Sequence, residues 1–241
     1  MPETVRPTAG DPPSRLVLWD VDGTLLRAGE VASAAFTRAV EAIVGRPLRH
    51  RVRMSGKTDP QIVGELLAEA GVPDPKRHVT AILARLQVEL RGAGPVIAVR
   101  GEVLPGVREL LPALHADPRF LQTLLTGNLA PNARVKVGAF GLERWLDLEV
   151  GAYGSDDGDR RRLVPVALER VARLRGRRFE PAEVWVVGDS DNDLACARAA
   201  GARCLLVGTG RATREELLAL GADATLDDLS DVPAVIALLA G

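Results

Sequence analysis

Two aspartates, Asp20 and Asp22, flank Val21 at the end of a short apolar segment. Side chains at positions i and i+2 of an extended chain share one face, so both carboxylates can reach one ion or one phosphate group. Gly23 permits a sharp turn after them, and Thr24 offers a hydroxyl to hold it. Ordinary strand-end turns also contain Asp and Gly, and short motifs match by chance. The pair alone leaves both interpretations open.

A second acidic cluster, at residues 189–193, follows another apolar segment and opens a helical pattern. Three aspartates in five positions are more than a turn needs. A helix N-terminus favours acids, so Asp191 or Asp193 could serve only as a cap, whereas Asp189 lies nearest the strand end. Oxygen ligands suit a hard ion such as Mg²⁺. Scattered histidines and the lack of a paired-cysteine spacing argue against zinc.

A third polar turn, Thr126-Gly127-Asn128, also ends an apolar segment. A hydroxyl, a side-chain amide and a backbone opened by glycine can donate hydrogen bonds to phosphoryl oxygens. A turn of this composition is structural more often than functional. It gains weight only from the other two clusters.

These turns lie at regular places in a strand–helix alternation. The helical patterns between the apolar segments stop at glycine in several places, as helices commonly do. Such alternation predicts an α/β fold, a Rossmann-like, doubly wound parallel sheet, in which ligands bind beyond the carboxyl ends of the strands. The predicted strands are 15–19, 121–125, 184–187 and 202–207, with a weaker one at 146–150.

Residues 27–100 break this alternation, because they contain amphipathic helical patterns and no clear strand. We predict an inserted all-helical cap domain there, a catalytic core formed by residues 15–26 and 101–241, and a flexible tail at residues 1–14. The cap's most polar, glycine-containing segment is 54–61, where Lys57, or alternatively Arg53, could contact a charged substrate group. A loop lysine is more often simply solvated.

Composition limits the class of protein. The 241 residues are 46% hydrophobic and 26% charged, which is typical of a globular protein. A net charge of −1 gives no broad electrostatic surface for nucleic acid or an anionic membrane, and we expect neither as a partner. No apolar run reaches the roughly 18 residues of a membrane span, and we find no signal peptide. Two cysteines, Cys196 and Cys204, fit a cytoplasmic protein.

The three clusters together resemble the haloacid dehalogenase-like hydrolase superfamily, in its phosphoglycolate phosphatase and β-phosphoglucomutase branch with a helical cap. Its first motif, Asp-x-Asp-Gly-Thr, appears at residues 20–24. Its second, an apolar strand ending in Thr or Ser, appears at Thr126, and its fourth, Gly-Asp-Ser with a further Asp, at residues 188–193. The resemblance covers residues 15–207.

The resemblance implies a role for each matching residue. Asp20 would be the nucleophile, and Asp22 the general acid and base. Thr126, with Gly127 and Asn128, would bind the transferring phosphoryl group. The presence of Asp22 favours phosphoryl transfer from an oxygen ester over dehalogenation, because an alcohol leaving group needs a proton.

The implied cofactor is Mg²⁺. We expect Asp20, Asp22, Asp189 and Asp193 to form its site, with Asp191 as an alternative to Asp193. The reaction expected from this set is hydrolysis of a small-molecule phosphate monoester through an aspartyl-phosphate intermediate. A small phosphorylated metabolite would be the partner, and the protein would be a monomer or homodimer.

One position departs from the superfamily pattern. Its third motif is usually a lysine, yet no lysine follows Lys136. The corresponding stretch offers Arg160, Arg161 and Arg162, and we choose Arg160 because it lies farthest upstream and nearest the turn. A solvated basic run at a helix start would look the same.

Two alternatives to a phosphatase remain at this level. A phosphomutase of the β-phosphoglucomutase type would share every core residue. A non-catalytic relative of the fold would be expected if the acids were eroded, but Asp20, Asp22, Asp189 and Asp193 are all present.

Overall fold

The computed structural model describes residues 13–48 and 52–241. The predicted tail at residues 1–14 lies outside the described residues except for Pro13 and Ser14. The Ser14 backbone N–H donates to Arg119 O, 2.9 Å away, at the start of the first core strand.

Six strands form one sheet in which every neighbouring pair is parallel. The spatial order is β5-β4-β1-β6-β7-β8, so the chain moves to one side of β1 and then to the other. This reversal at β1 is the topological switch point at which such sheets bind ligands. The strands are β1 Arg15–Trp19, β4 Phe120–Thr126, β5 Ala152–Tyr153, β6 Val184–Gly188, β7 Arg203–Val207 and β8 Ala224–Leu226, while the separate pair consists of β2 Leu26–Arg27 and β3 Glu102–Val103.

Strand β1 lies at the centre because it is apolar on both faces. Leu16 and Leu18 belong to one hydrophobic cluster, and Val17 and Trp19 to another on the opposite face. Alternation of side chains along a strand produces this division. Helices cover both faces, which confirms the predicted α/β, doubly wound fold class. The core helices are α5 Val107–Ala116, α6 Ala130–Gly138, α7 Leu163–Arg175, α8 Asp191–Ala199, α9 Arg214–Ala219 and α10 Val232–Ala240.

Four further helices lie between β2 and β3, which pair in antiparallel fashion. They are α1 Glu30–Val44, α2 Asp59–Glu69, α3 Lys76–Arg91 and α4 Gly94–Arg100. We refer to them as the cap helices, and the division at residues 26/27 and 100/101 stays a prediction. In the described part of the chain, none of the helices combines the length and the apolar character that crossing a membrane requires.

The strand predicted at residues 146–150 is wrong. Leu146 and Val150 are buried, but the backbone between them makes turns, and the strand β5 begins two residues later. Asp147 bonds to the neighbouring strand β4, but not through a regular ladder of backbone hydrogen bonds. Its N–H donates to Gln122 O, whereas its carbonyl accepts from the Thr123 side-chain hydroxyl at 2.6 Å. Apolar composition predicted the burial here, but it did not distinguish a strand from a packed turn.

Candidate active site

The carboxyl ends of β1, β4 and β6 meet because these strands are adjacent and in register. Trp19 of β1 pairs with Leu124 of β4 and with Val187 of β6. Asp20, the next residue after β1, donates its N–H to Val187 O and so stays aligned with β6. The three predicted clusters therefore converge on one edge of the sheet.

The turn after Asp20 depends on its glycine. Gly23 has a φ of +96°, and a Cβ there would collide with the Asp189 carboxylate. Backbone N–H groups of Thr24 and Leu25 donate to Val21 O and close the turn. Our expectation that the Thr24 hydroxyl holds the turn is wrong, since this buried oxygen has no hydrogen-bond partner among the described residues.

Arg160 is the arginine that lies against Asp20. Its Nη2 donates to Asp20 Oδ1 at 2.8 Å and also to Asp193 Oδ1, and all three side chains are buried. Arg161 and Arg162 are instead mostly exposed and pair with Asp159 and Asp157. The structure thus places Arg160 where the resemblance asks for a positive charge.

Local structure fixes Arg160 in this position. Asp159 accepts a hydrogen bond from the Arg161 backbone N–H and begins a short 3₁₀ turn at Arg160. The Arg160 carbonyl accepts from the Cys196 thiol at 3.0 Å, and its Nη1 donates to Gly56 O at 3.3 Å. Burial opposes the charge, but Asp193 and Asp20 outweigh it and raise the pKa of the guanidinium above its ordinary value.

Asp193 has two structural tasks. Its Oδ2 accepts from the Ser190 backbone N–H at 3.1 Å and from the Ser190 hydroxyl at 2.6 Å, which caps α8. Its Oδ1 accepts from Arg160. Both oxygens therefore already have donors, whereas Asp191 is exposed on the same helix.

Asp189 has the chemistry of a cation ligand. Its carboxylate is buried, and Oδ1 has no hydrogen-bond partner among the described residues. One oxygen from each of Asp20, Asp189 and Asp193 lies within 4.8 Å of the others. Burial, followed by the negative charges of Asp193 and Asp20, raises the pKa of Asp189 to about 8. An unsatisfied buried oxygen beside two other carboxylates fits a divalent metal ion.

The pKa of Asp20 is raised less. Burial raises it to about 6, while the neighbouring Arg160 opposes this shift. A buried carboxylate that carries one hydrogen bond from a guanidinium is ionised near neutral pH. Oδ2 receives no side-chain hydrogen bond from the described residues, so one oxygen of Asp20 stays available for reaction.

Comparison with known proteins agrees with this geometry. The family model for haloacid dehalogenase-like hydrolases matches residues 15–201. The chain belongs to the haloacid dehalogenase-like hydrolases. A relative, "Phosphoglycolate phosphatase, plasmid" of Cupriavidus necator, is 30% identical over 93% of this chain and 94% of its own. The predicted enzyme class, a phosphatase of this family, is confirmed.

Solved structures share the fold. A hydrolase from Pseudomonas syringae matches with a TM-score of 0.71 and 20% identity, covering 94% of this chain and 99% of its own. CbbY from Rhodobacter sphaeroides in complex with phosphate matches with a TM-score of 0.65 and 23% identity, covering 90% and 96%. At this identity these structures support the fold alone.

Asp22 lies apart from the three carboxylates in this hydrolase. Its Oδ2 accepts from Asn128 Nδ2 at 2.8 Å and from Lys136 Nζ at 2.5 Å. Asn128 Nδ2 also donates to Thr126 Oγ1 at 2.8 Å. The structure therefore places Asp22 beside Thr126 and Asn128, and not in the cluster of three acids that we expected it to share. Its predicted role as general acid and base stays a prediction.

Lys136 is a residue that the sequence reasoning missed. It lies on α6, where the buried residues Asn132, Ala133, Lys136 and Val137 form one stripe. A lysine on the buried stripe of a helix needs an acid as partner, and this spacing could have revealed it.

A segment of the cap lies directly on the site. The Asp59 N–H donates to Gly127 O at 2.7 Å, and a Cβ on Gly127 would overlap Lys57 O. The Thr58 hydroxyl donates to Gly158 O at 2.8 Å. We call residues 56–59 the closing segment, because they join the cap to the Thr126-Gly127-Asn128 turn.

Lys57 does not contact this site through its side chain. Its ammonium forms an ion pair with Glu65 Oε2 at 2.5 Å within the cap, and only its backbone approaches Gly127. Arg53, the alternative, is exposed. The substrate-binding role predicted for Lys57 stays a prediction, and the geometry gives its charge another partner.

The closing segment instead contributes the buried acid Asp59. Its Oδ2 accepts from the Leu129 N–H at 2.8 Å and from Asn132 Nδ2 at 3.1 Å, at the start of α6. Burial raises its pKa to about 6, against the opposing charge of Lys136. In the sequence, Asp59 resembles an ordinary acidic residue in the first turn of α2.

Proposed function

We propose that this hydrolase is a Mg²⁺-dependent phosphatase that cleaves a small phosphate monoester through an aspartyl-phosphate at Asp20. The observation that carries the proposal is the buried arrangement of Asp20 between Arg160 and Asp189. One oxygen of Asp20 accepts from Arg160, and Asp189 Oδ1 has no partner among the described residues. A nucleophile, a fixed positive charge and a candidate metal ligand thus occupy one edge of the sheet.

In the first step, a carboxylate oxygen of Asp20 attacks phosphorus. Its bond to phosphorus forms as the bond to the ester oxygen breaks, and Asp22 transfers a proton to the departing alkoxide to give the neutral alcohol. Arg160, and the donors around Thr126 and Asn128, oppose the negative charge of the transferring group.

In the second step, Asp22 removes a proton from water as its oxygen attacks phosphorus. The bond to Asp20 breaks, which releases phosphate and regenerates both aspartates. Asp20 and Asp189 are the residues that would hold Mg²⁺, with Asp193 beside them. A bound Mg²⁺ would neutralise negative charge at the phosphoryl group.

We propose a small phosphorylated metabolite as the substrate, with 2-phosphoglycolate as the first compound to test. The similarity to the phosphoglycolate phosphatase of Cupriavidus necator supports this choice. The closing segment also suits a small leaving group, because its backbone contacts Gly127 directly. We expect a monomer or homodimer that binds neither nucleic acid nor membranes, and the buried, unpaired Cys196 and Cys204 suit the cytoplasm.

The test is phosphate release from a panel of monoesters with and without Mg²⁺. We expect activity that requires the ion and is lost in Asp20→Asn, while Asp74→Asn, at an exposed cap position with a φ of +48° that asparagine tolerates, keeps it. Borohydride reduction of acid-quenched enzyme should convert Asp20 to homoserine, detectable by mass spectrometry in tryptic peptide 16–27.

Undiminished turnover by Asp20→Asn would contradict the mechanism. Conversion of β-glucose 1-phosphate to the 6-phosphate with little free phosphate would indicate a phosphomutase in place of a phosphatase.

A further inference from the structure

Lys136 is buried at the edge of the active site, and the mechanism above gives it no task. Its side chain is 4% exposed, and its Nζ bonds to Asp22 Oδ2 at 2.5 Å and to Asn128 Oδ1 at 2.6 Å. A buried ammonium is costly unless acids and hydrogen bonds compensate it. Its position beside Asp22 therefore needs an explanation.

The hydrogen bonds to Asp22 are one-sided. Asn128 and Lys136 both donate to Oδ2. Among the described residues, Oδ1 receives no hydrogen bond from a side chain. The Asp22 side chain is 41% exposed, so without these donors little would restrict its rotation.

Lys136 can fix this carboxylate because its own helix is fixed. Its neighbours Ala133 and Val137 are fully buried in the core. The start of α6 is held by the Asp59 carboxylate, which accepts from the Leu129 N–H. The ammonium thus approaches Asp22 from a rigid element, and rigid support of this kind keeps a reactive group in a productive geometry.

We propose that Lys136 is a positioning residue that orients Asp22 for proton transfer to the leaving group. It holds Oδ2, so that Oδ1 is the oxygen that exchanges the proton with the departing alcohol and then with water. This inference rests on the proposed function, because it assumes that Asp22 acts as general acid and base.

The leaving group provides the decisive measurement. Protonation matters greatly for an alkoxide and little for p-nitrophenolate, which departs without a proton. In Lys136→Met we expect kcat/KM to fall about 10²-fold for 2-phosphoglycolate and less than about 5-fold for p-nitrophenyl phosphate. The larger value lies at the lower end of the rate enhancement of about 10²–10⁴-fold that general acid catalysis typically contributes. A purely structural defect would lower both values equally. The matched control is Lys76→Met, at an exposed position at the start of α3.

A double-mutant cycle with Asp22→Asn tests whether Lys136 acts through Asp22. We expect Lys136→Met to cost little more in the Asp22→Asn background, since the group that it positions is already lost. Multiplying effects would contradict the proposal, as would equal losses of kcat/KM for both substrates in Lys136→Met.

The folding of Lys136→Met needs a safeguard, because Lys136 also opposes the buried charge of Asp59. The same comparison is therefore repeated with Asp59→Asn/Lys136→Met against Asp59→Asn, where that charge is absent. The selective loss with 2-phosphoglycolate should persist there, and its absence would overturn the proposal.

Failure of the proposed function gives a different result. If Asp22→Asn itself showed no preference for p-nitrophenyl phosphate, then Asp22 would not be the general acid. If only Lys136→Met lacked that preference, the mechanism would stand and the inference about Lys136 would be wrong.

Discussion

The positive charge beside Asp20 is supplied by an arginine where the family pattern has a lysine. One nitrogen of Arg160, Nη2, bonds to both Asp20 and Asp193. A lysine ammonium can also donate to two carboxylates from one nitrogen, although it lacks the planar fork that reaches Gly56 O through Nη1. The charge, more than the shape of the guanidinium, is thus the shared requirement at this position.

Arg160→Lys should therefore keep measurable activity, whereas Arg160→Gln should lower kcat/KM by about 10²-fold or more by removing charge stabilisation from the site. Loss of the buried cation should also lower the free energy of unfolding of Arg160→Gln by about 3–5 kcal/mol in chelator-treated enzyme. Steady-state kinetics and chemical denaturation measure these effects. Arg161→Gln is the control, because Arg161 forms a surface ion pair with Asp159, and such pairs contribute little to stability. Equal activity in Arg160→Gln and Arg161→Gln would contradict the assignment.

Sequence alone predicted the position of residues that end strands. Asp20, Thr126 and Asp189 follow apolar segments, and the carboxyl ends of parallel strands necessarily meet. Lys136 was missed because it occurs inside a helical pattern, where a charge usually faces solvent. Asp59 was missed because it begins a helix, where an acidic residue is ordinary. Their burial follows from packing between the cap and α6, which one sequence does not display.

At the scale of elements, the contact between the closing segment and the turn after β4 has no space for side chains. A Cβ on Gly127 would overlap Lys57 O, and one on Gly154 would overlap Gly127 O. Glycine at both positions therefore permits three backbones to approach closely. This approach allows the Asp59 N–H to bond to Gly127 O.

Gly127→Ala should push the closing segment away from the core and lower kcat/KM by about 10²-fold, since small displacements at a reacting site cost this much. Amide exchange at Asp59 should become faster, because its hydrogen bond to Gly127 O is lost, while exchange in β1 stays unchanged. Gly64→Ala in α2 is the matched control, since a Cβ there meets no heavy atom within 4 Å. It should stabilise the helix by about 1 kcal/mol. Unchanged exchange at Asp59 in Gly127→Ala would show that the core, and not the cap, accommodates the methyl group.

The helices were more predictable than the short strands. Apolar periodicity marks the buried face of a helix and a glycine marks its end, as Gly45 does for α1 and Gly176 for α7. Strands of two or three residues, such as β2, β3 and β5, are too short to show alternation. They form because β2 and β3 pair with each other and β5 pairs with β4.

Across the whole molecule, the active site concentrates more buried negative charge than its own residues neutralise. Asp20, Asp189 and Asp193 lie around one buried cation, Arg160, while the other buried cation of the site, Lys136, bonds to Asp22. Without a metal ion, burial raises the pKa of Asp20 to about 6 and that of Asp189 to about 8, so both acids bind protons more readily in the folded chain than in the unfolded one. A divalent cation would replace those protons, so metal binding and pH must act on stability together.

Stabilisation by Mg²⁺ should therefore grow as pH rises from about 6 to about 8. An acid with a raised folded pKa contributes stability that is fully present below its unfolded pKa, near 3.8, and is lost as pH rises through the folded pKa. The metal-free enzyme should thus lose stability over this range, while Mg²⁺ competes with fewer protons. At a Mg²⁺ concentration of 100 times its dissociation constant, the ion would add about 2.7 kcal/mol to the free energy of unfolding.

Thermal unfolding is measured at pH 6 and at pH 8, with Mg²⁺ and with chelator. At each pH, the difference in Tm between Mg²⁺ and chelator measures the stabilisation by the ion. Asp189→Asn should abolish the Mg²⁺-dependent difference, and its metal-free form should be more stable than the wild type at pH 8, because it buries an amide in place of a carboxylate. Asp74→Asn should retain the full difference. An equal Mg²⁺ effect at both pH values, or a persisting effect in Asp189→Asn, would place the ion elsewhere, since Asp189 Oδ1, which has no partner among the described residues, is the atom that we expect to bind it.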